Sequence, residues 1–281
     1  MLKTHGWARW LLIPYRFVAA ARYPARSFVR IFPWLLSSRE VTDVSYDLSE
    51  LSRGYLAEYL SVVTGFSSGD IDRYLRELET DEKLREHARR WTLESGSPAI
   101  SDPDERFGKR MVWYALIRAV KPKVVVEAGV NRGLGTCVIA SALRRNLSEG
   151  HAGRVYGIDI DPAKGYLFRA PYTSVGELHI CDIRDFLSAW NDEIDVFVHD
   201  TQNLPWLERE EYQLLESRLS SSAWVCSVWS SGELLEFGQR TGRRCLSFAL
   251  EAKDHWYPGS RIAIAFSPAE AAESDPPGSD G

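Results

Sequence analysis

Two kinds of apolar spacing meet between residues 124 and 143. Val124, Val125 and Val126 form a continuous β-branched run, the pattern of a strand covered on both faces. Residues 138–143 then place apolar side chains at helical spacing. Gly129, Gly133 and Gly135 fall between the two runs, so the segment predicts a strand, a glycine-rich turn and a helix. Residues 154–160 predict the next strand, which ends in Asp159. Upstream, residues 48–91 are helical in period, with Leu48, Leu51, Tyr55 and Tyr59 on one face and Ile71, Tyr74, Leu75 and Leu78 on another. Ser67 to Asp70 supplies the break and the N-cap between these helices. Residues 94–104 predict a loop or lid, residues 106–120 a helix, and the Pro-, Ser- and acid-rich residues 267–281 a disordered tail.

The turn and the acid suggest what binds. Glycines remove side chains where the backbone bends and a ligand must approach it, which suits a nucleotide-like cofactor. Asp159, at the end of the second strand, stands where a carboxylate grips the two hydroxyls of a ribose. A nicotinamide-binding turn is the nearest alternative, but it spaces its glycines G-x-G-x-x-G to seat a pyrophosphate on the helix N-terminus. Here the spacing differs.

The segment resembles the class I S-adenosylmethionine-dependent methyltransferases, whose first motif reads acidic-x-Gly-x-x-x-Gly and is matched by Glu127, Gly129 and Gly133. The resemblance covers roughly residues 106–267. It implies an α/β fold, a Rossmann-like seven-stranded sheet with helices on both faces, preceded by an N-terminal helical region. Residues 176–182, 194–200 and 223–228 resemble its third, fourth and fifth strands, and strands around 245–250 and 261–266 would form the closing antiparallel hairpin. The implied division is residues 1–40 as a basic aromatic segment, 41–105 as a helical accessory region with a lid loop, 106–267 as the methyltransferase domain and 268–281 as the tail. The implied cofactor is S-adenosylmethionine, held by Glu127, Gly129, Asn131, Gly133, Asp159, Asp182 near the adenine, and Asp200.

Composition narrows this picture. The chain has 281 residues, 44% of them hydrophobic, enough for one catalytic domain with an N-terminal appendage. A formal charge of -5 gives no reason to expect a general nucleic-acid surface. Cys137, Cys181, Cys226 and Cys245 form no C-x-x-C pair and read as thiols in a reducing, cytoplasmic compartment. The first 38 residues interleave Lys3, Arg9, Arg16, Arg22, Arg26 and Arg30 with eight aromatic residues, and no acid precedes Glu40. Such a segment suits peripheral attachment to an anionic membrane surface, or packing against the catalytic domain or a second subunit of a homo-oligomer. A cleaved transit peptide would also be basic and acid-poor. Pro14, Pro24 and Pro33 are expected to break the segment into short pieces, and with the recurring basic residues they argue against a bilayer span.

Transfer of a methyl group to an alcohol needs a base near the reacting oxygen. The candidates are His199 and Asp200, just after the fourth strand, and His255, after the sixth. His179 lies within a strand and reads as structural. Residues 254–259 and the pattern before the first strand are similar to bacterial O-methyltransferases associated with sugars, surface polysaccharides and glycosylated natural products. Those relatives often hold a metal with acids after the fourth and fifth strands. This chain has His199-Asp-Thr-Gln-Asn203 and Ser227-Val-Trp-Ser-Ser231, leaving Asp200 as the one carboxylate of that set. A tightly bound Mg2+ draws on more oxygen ligands, so no metal is expected. Three functions follow: an O-methyltransferase acting on a sugar or a glycosylated, lipid-linked small molecule; a cofactor-binding protein of that fold serving as a partner subunit or catalysing a different step; and a peripheral membrane scaffold.

Overall fold

The computed structural model describes residues 13–40, 44–95, 101–202, 204–229 and 232–267. Its centre is a seven-stranded sheet with spatial order β3-β2-β1-β4-β5-β7-β6. The strands are β1 (Val124–Ala128), β2 (Arg154–Asp159), β3 (Gly176–Ile180), β4 (Ile194–His199), β5 (Leu219–Val228), β6 (Arg244–Ala249) and β7 (Arg261–Phe266). Neighbours from β3 through β5 are parallel, while β7 runs antiparallel to both β5 and β6. The hairpin inferred for residues 245–266 is therefore present.

Side-chain alternation decides how this sheet is covered. Val125, Val196, Val198, Cys226, Val228, Ile262 and Ile264 point into one core, and Val126, Ala128, Phe197, Val225, Ala263 and Ala265 into the other. Period-two alternation gives both faces apolar side chains, so helices must cover both. On the first face lie α2 (Glu50–Thr64), α3 (Ser68–Glu79), α4 (Glu82–Leu93), α5 (Arg110–Val120) and α6 (Leu134–Ser148). On the second lie α7 (Ile183–Ala189), α8 (Pro205–Glu216) and α9 (Glu233–Arg240). The most deeply set helix is α5, whose Trp113, Tyr114, Leu116 and Ile117 are all buried.

Some sequence expectations need correction. Ser67 does cap α3, accepting the Asp70 N–H, and Ile71, Tyr74, Leu75 and Leu78 are buried. In α2, however, Leu51 and Tyr55 face solvent; the inward face is Ser52, Leu56, Ala57, Leu60 and Val63. Both sets fit a 3.6-residue period, and packing against α3 and α5 selects the second. The helix expected from residue 106 starts at Arg110, after a turn. The N-terminal prolines do not fragment their segment: α1 (Ile13–Ser37) is one helix of 25 residues. Pro14 stands in the first turn, where its missing N–H has no partner to lose, and Pro24 and Pro33 each remove a single rung from a helix that continues past them. Residues 1–12, residues 96–100 of the expected lid loop, and the tail 268–281 lie outside the described residues.

Candidate active site

The chain runs from β1 through α6 to β2 on one side and takes up β4 on the other, so the carboxyl ends of β1 and β4 flank the crevice where open α/β sheets bind ligands. The glycine turn fills that position. The Gly129 N–H donates to the Ile158 carbonyl at 2.9 Å, and the Asp200 N–H donates to the Ala128 carbonyl at 2.9 Å. Gly129 adopts φ 88° with its α-carbon against the Asp200 main chain, leaving no room for a β-carbon. Asn131 follows at φ 48°, and Gly133 N-caps α6. Asp159 braces this turn: one carboxylate oxygen accepts the N–H groups of Val130 (3.1 Å) and Asn131 (3.0 Å), and the other accepts that of Asp161 (3.0 Å).

Over the turn opens a cavity of about 710 Å³, lined by Gly129, Asn131, Asp159, Asp182, Asp200 and Trp206 among others. That volume falls within the range of small-molecule sites. Five of the cofactor residues inferred from sequence thus share one cavity wall. The other two stand behind it. Gly133 forms the helix cap, and Glu127 is buried beneath the turn, where its carboxylate accepts the Thr136 hydroxyl. Burial pushes the Glu127 carboxyl up to about 8, with the Thr136 bond opposing. Glu127 therefore holds the turn from below and does not face the cavity. Asp182 caps α7 by accepting the Arg184 N–H at 2.8 Å, and its carboxylate is gripped by the Arg184 guanidinium, which holds it below the usual carboxylate range.

Asp200 has a partner that the sequence did not suggest. The Lys109 ammonium, at the start of α5, lies 2.6 Å from the Asp200 carboxylate, and both side chains are largely buried. Local sequence around Lys109 gives no sign of this, because the contact spans 91 residues and depends on α5 packing across the end of β4. A second missed pair is Arg132 with Glu105, 2.5 Å apart and buried, which ties the cofactor turn to the segment leading into α5. A charged residue inside a glycine turn was the available signal.

The two histidines are placed elsewhere. His199 is 0% exposed, its Nε2 lying 3.0 Å from Glu211 of α8 and 3.0 Å from the Thr201 hydroxyl. The strand alternation that sends Phe197 and His199 toward α8 removes it from the acceptor, so it does not serve as the base. His255 also fails that role. It is buried in the β6–β7 connection, where its Nδ1 accepts the Tyr257 N–H at 3.0 Å, and burial lowers its pKa. His179 sits on β3 beside Glu177, 3.2 Å away, in an exposed pair. Trp229, just past β5, takes a left-handed backbone (φ 58°), uncommon for a bulky side chain, and donates its indole N–H to the Tyr257 hydroxyl at 3.2 Å. His199 pairs with Ser227 across β4 and β5, which puts Asp200 level with Val228 and Trp229 one residue further along.

Among the described residues no group of three or more His, Cys, Asp or Glu side chains converges as metal ligands do. At Asp200 an ammonium already occupies the flank of the carboxylate, so a divalent cation there would have to displace Lys109.

This geometry defines a doubly wound α/β domain whose cofactor crevice lies at the end of β1. Residues 126–227 match the family described as a methyltransferase domain. Residues 126–227 therefore carry a methyltransferase domain, set on strands β1 to β5 of the seven-stranded sheet. No curated protein matches the chain. Similar solved structures include the O-methyltransferase TomG from Streptomyces achromogenes, involved in tomaymycin synthesis and in complex with SAM (15% identity, TM-score 0.45, 79% of this chain and 100% of that one). The SAH-bound methyltransferase PaMTH1 of Podospora anserina is another (14% identity, TM-score 0.47, 66% and 88%). An rRNA methylase from Streptococcus thermophilus is a third (13% identity, TM-score 0.39, 53% and 89%). Likeness at these levels carries no argument about the acceptor.

Proposed function

We propose that this protein is an O-methyltransferase that moves the methyl group of S-adenosylmethionine to a hydroxyl of a sugar or of a glycosylated, lipid-linked small molecule. The observation that carries this reading is the Lys109–Asp200 pair at the wall of the cofactor cavity. The cofactor is a sulfonium cation, and the acids Asp159, Asp182 and Asp200 complement it. Asp159 takes the ribose hydroxyls with the lone pairs its backbone bonds leave free. In the transfer the acceptor oxygen attacks the methyl carbon, the carbon–oxygen bond forms as the carbon–sulfur bond breaks, and the hydroxyl proton passes to Asp200. Lys109 stabilises the negative charge that develops on the oxygen, the part a metal plays elsewhere. Trp229, just past β5, hydrogen-bonded to Tyr257 and partly exposed, offers an aromatic face of the kind that stacks on the C–H face of a sugar ring.

Three outcomes check this. Asp159→Ala should weaken binding of S-adenosylhomocysteine by about 1.5–3 kcal/mol, the range of a hydrogen bond to a charged group; unchanged calorimetric affinity would remove Asp159 from the site. Asp200→Asn and Lys109→Met should each lower turnover by about 10²–10⁴-fold, as removal of an acid–base or electrostatic group does. Their affinity for the cofactor product should hold within a few-fold. Turnover on a panel of sugar and glycolipid acceptors should persist in EDTA, and loss in EDTA with recovery on Mg2+ would overturn the metal-free mechanism. Tight cofactor binding without turnover on any hydroxyl acceptor would favour a partner subunit or a different reaction.

A further inference from the structure

We infer that α1 is an in-plane membrane anchor that sets the cofactor-binding edge of the domain against an anionic lipid surface. The helix is amphipathic, and it is docked the unusual way round. Among the described residues, Arg30 and Trp34 join it to the domain from one edge. The Arg30 guanidinium reaches the His255 carbonyl and the Asp254 carboxylate, both at 3.4 Å. Four residues on, the Trp34 indole N–H donates to Glu40 at 3.3 Å while its ring meets that of Trp256 edge-on at 5.1 Å. A helix held by that edge turns its opposite face outward. Phe17, Val18, Phe28, Val29, Phe32 and Leu36 lie there, more than half exposed, with Phe32 at 64% and Leu36 at 90%. Their spacing of three, four and seven residues makes one apolar stripe along the helix. Six large apolar side chains more than half exposed on one face mark a surface that something covers.

Charge selects the occupant. Residues 1–39 contain no Asp or Glu, while Arg16, Arg22, Arg26 and Arg30 stand within the helix itself. A second copy of the helix would bring like charge against like. A leaflet of anionic headgroups attracts a helix that carries positive charge without acids and accepts the apolar stripe. No helix among the described residues is long and apolar enough to cross a membrane, which leaves α1 lying in the surface plane. Placement adds a reason: β6 is parallel to β4 and β5, so the β6–β7 connection that receives α1 leaves the sheet at the same edge as the cavity.

The test is flotation of the full chain with vesicles of phosphatidylcholine alone or mixed with phosphatidylserine, together with size-exclusion chromatography. The wild type should float with the mixed vesicles at low salt and much less in 0.5 M salt or with phosphatidylcholine alone. The exposed triple variant Phe28→Asp, Phe32→Asp, Leu36→Asp should bind at least about tenfold more weakly. Its unfolding midpoint should be little changed, since these side chains are more than half exposed. Failure of the wild type to float with mixed vesicles at low salt overturns the proposal, as does equal flotation of the folded triple variant. A dimer that the triple variant splits, with no flotation, would assign the stripe to self-association instead.

Discussion

Gly129→Ala should abolish binding of the cofactor and cost about 2–5 kcal/mol of stability, because the added methyl group runs into main chain. Two terms add. A left-handed backbone costs an L-residue with a β-carbon roughly 1–2 kcal/mol, and forcing an atom into closed space costs about 1–3 kcal/mol more. The obstruction is the main-chain carbonyl of Asp200, which cannot rotate away as a side chain would. Shifting it breaks the Asp200 N–H bond to Ala128 and moves the carboxylate that Lys109 holds. Gly150→Ala is the control, because Gly150 has nearly the same φ (89°) with open space around it. Urea titration should show the Gly129 variant losing clearly more stability than the Gly150 variant, and calorimetry should show only the former losing S-adenosylhomocysteine. Equal losses would reduce the effect to backbone strain alone.

The second large effect lies beneath the turn. Burial holds the Glu127 carboxyl at about 8 in the folded chain, against 4.5 when solvated. Between those values the folded state binds a proton that the unfolded state has released, so unfolding gains as pH rises. Stability from this group is fully present below about pH 4.5 and is lost progressively toward pH 8, with a slope approaching about 1.4 kcal/mol per unit and a total on the order of 5 kcal/mol. Glu127→Gln keeps an oxygen for the Thr136 hydroxyl and has no proton to lose. The variant should match the wild type near pH 5 and exceed it by several kcal/mol at pH 9, measured by chemical denaturation. A stability difference that stays flat from pH 5 to 9 would show that the carboxylate is compensated in the folded state.

What the sequence made visible follows from range. The strand–turn–helix at residues 124–148 is written in local spacing: a β-branched run that only a two-sided core can bury, then glycines, then helical period. Gly129, Asn131, Asp159, Asp182 and Asp200 could be named because each lies at the carboxyl end of a strand, or in the turn beyond it, and parallel register brings those ends together. Lys109 and Glu105 could not, since their partners are fixed by how α5 crosses the sheet. The histidines misled for a related reason. Whether a residue at a strand end looks into the cavity or under a helix depends on one step of alternation, and His199 falls on the α8 side. The inward face of α2 was ambiguous in the same way, with two apolar stripes and only tertiary packing to choose between them.

Glu105 and Lys109 stand four residues apart, yet one grips the turn under the methyl donor through Arg132 and the other grips Asp200, where the acceptor would be activated. The short stretch between them works as a ruler. Its length fixes the gap between donor and acceptor sides, and in-line transfer tolerates little change in that gap. Insertion of a single residue between positions 105 and 109 would leave both ion pairs able to form individually but not at their present separation. Elements of the two half-sites could then survive intact while the distance across which the methyl group must travel does not.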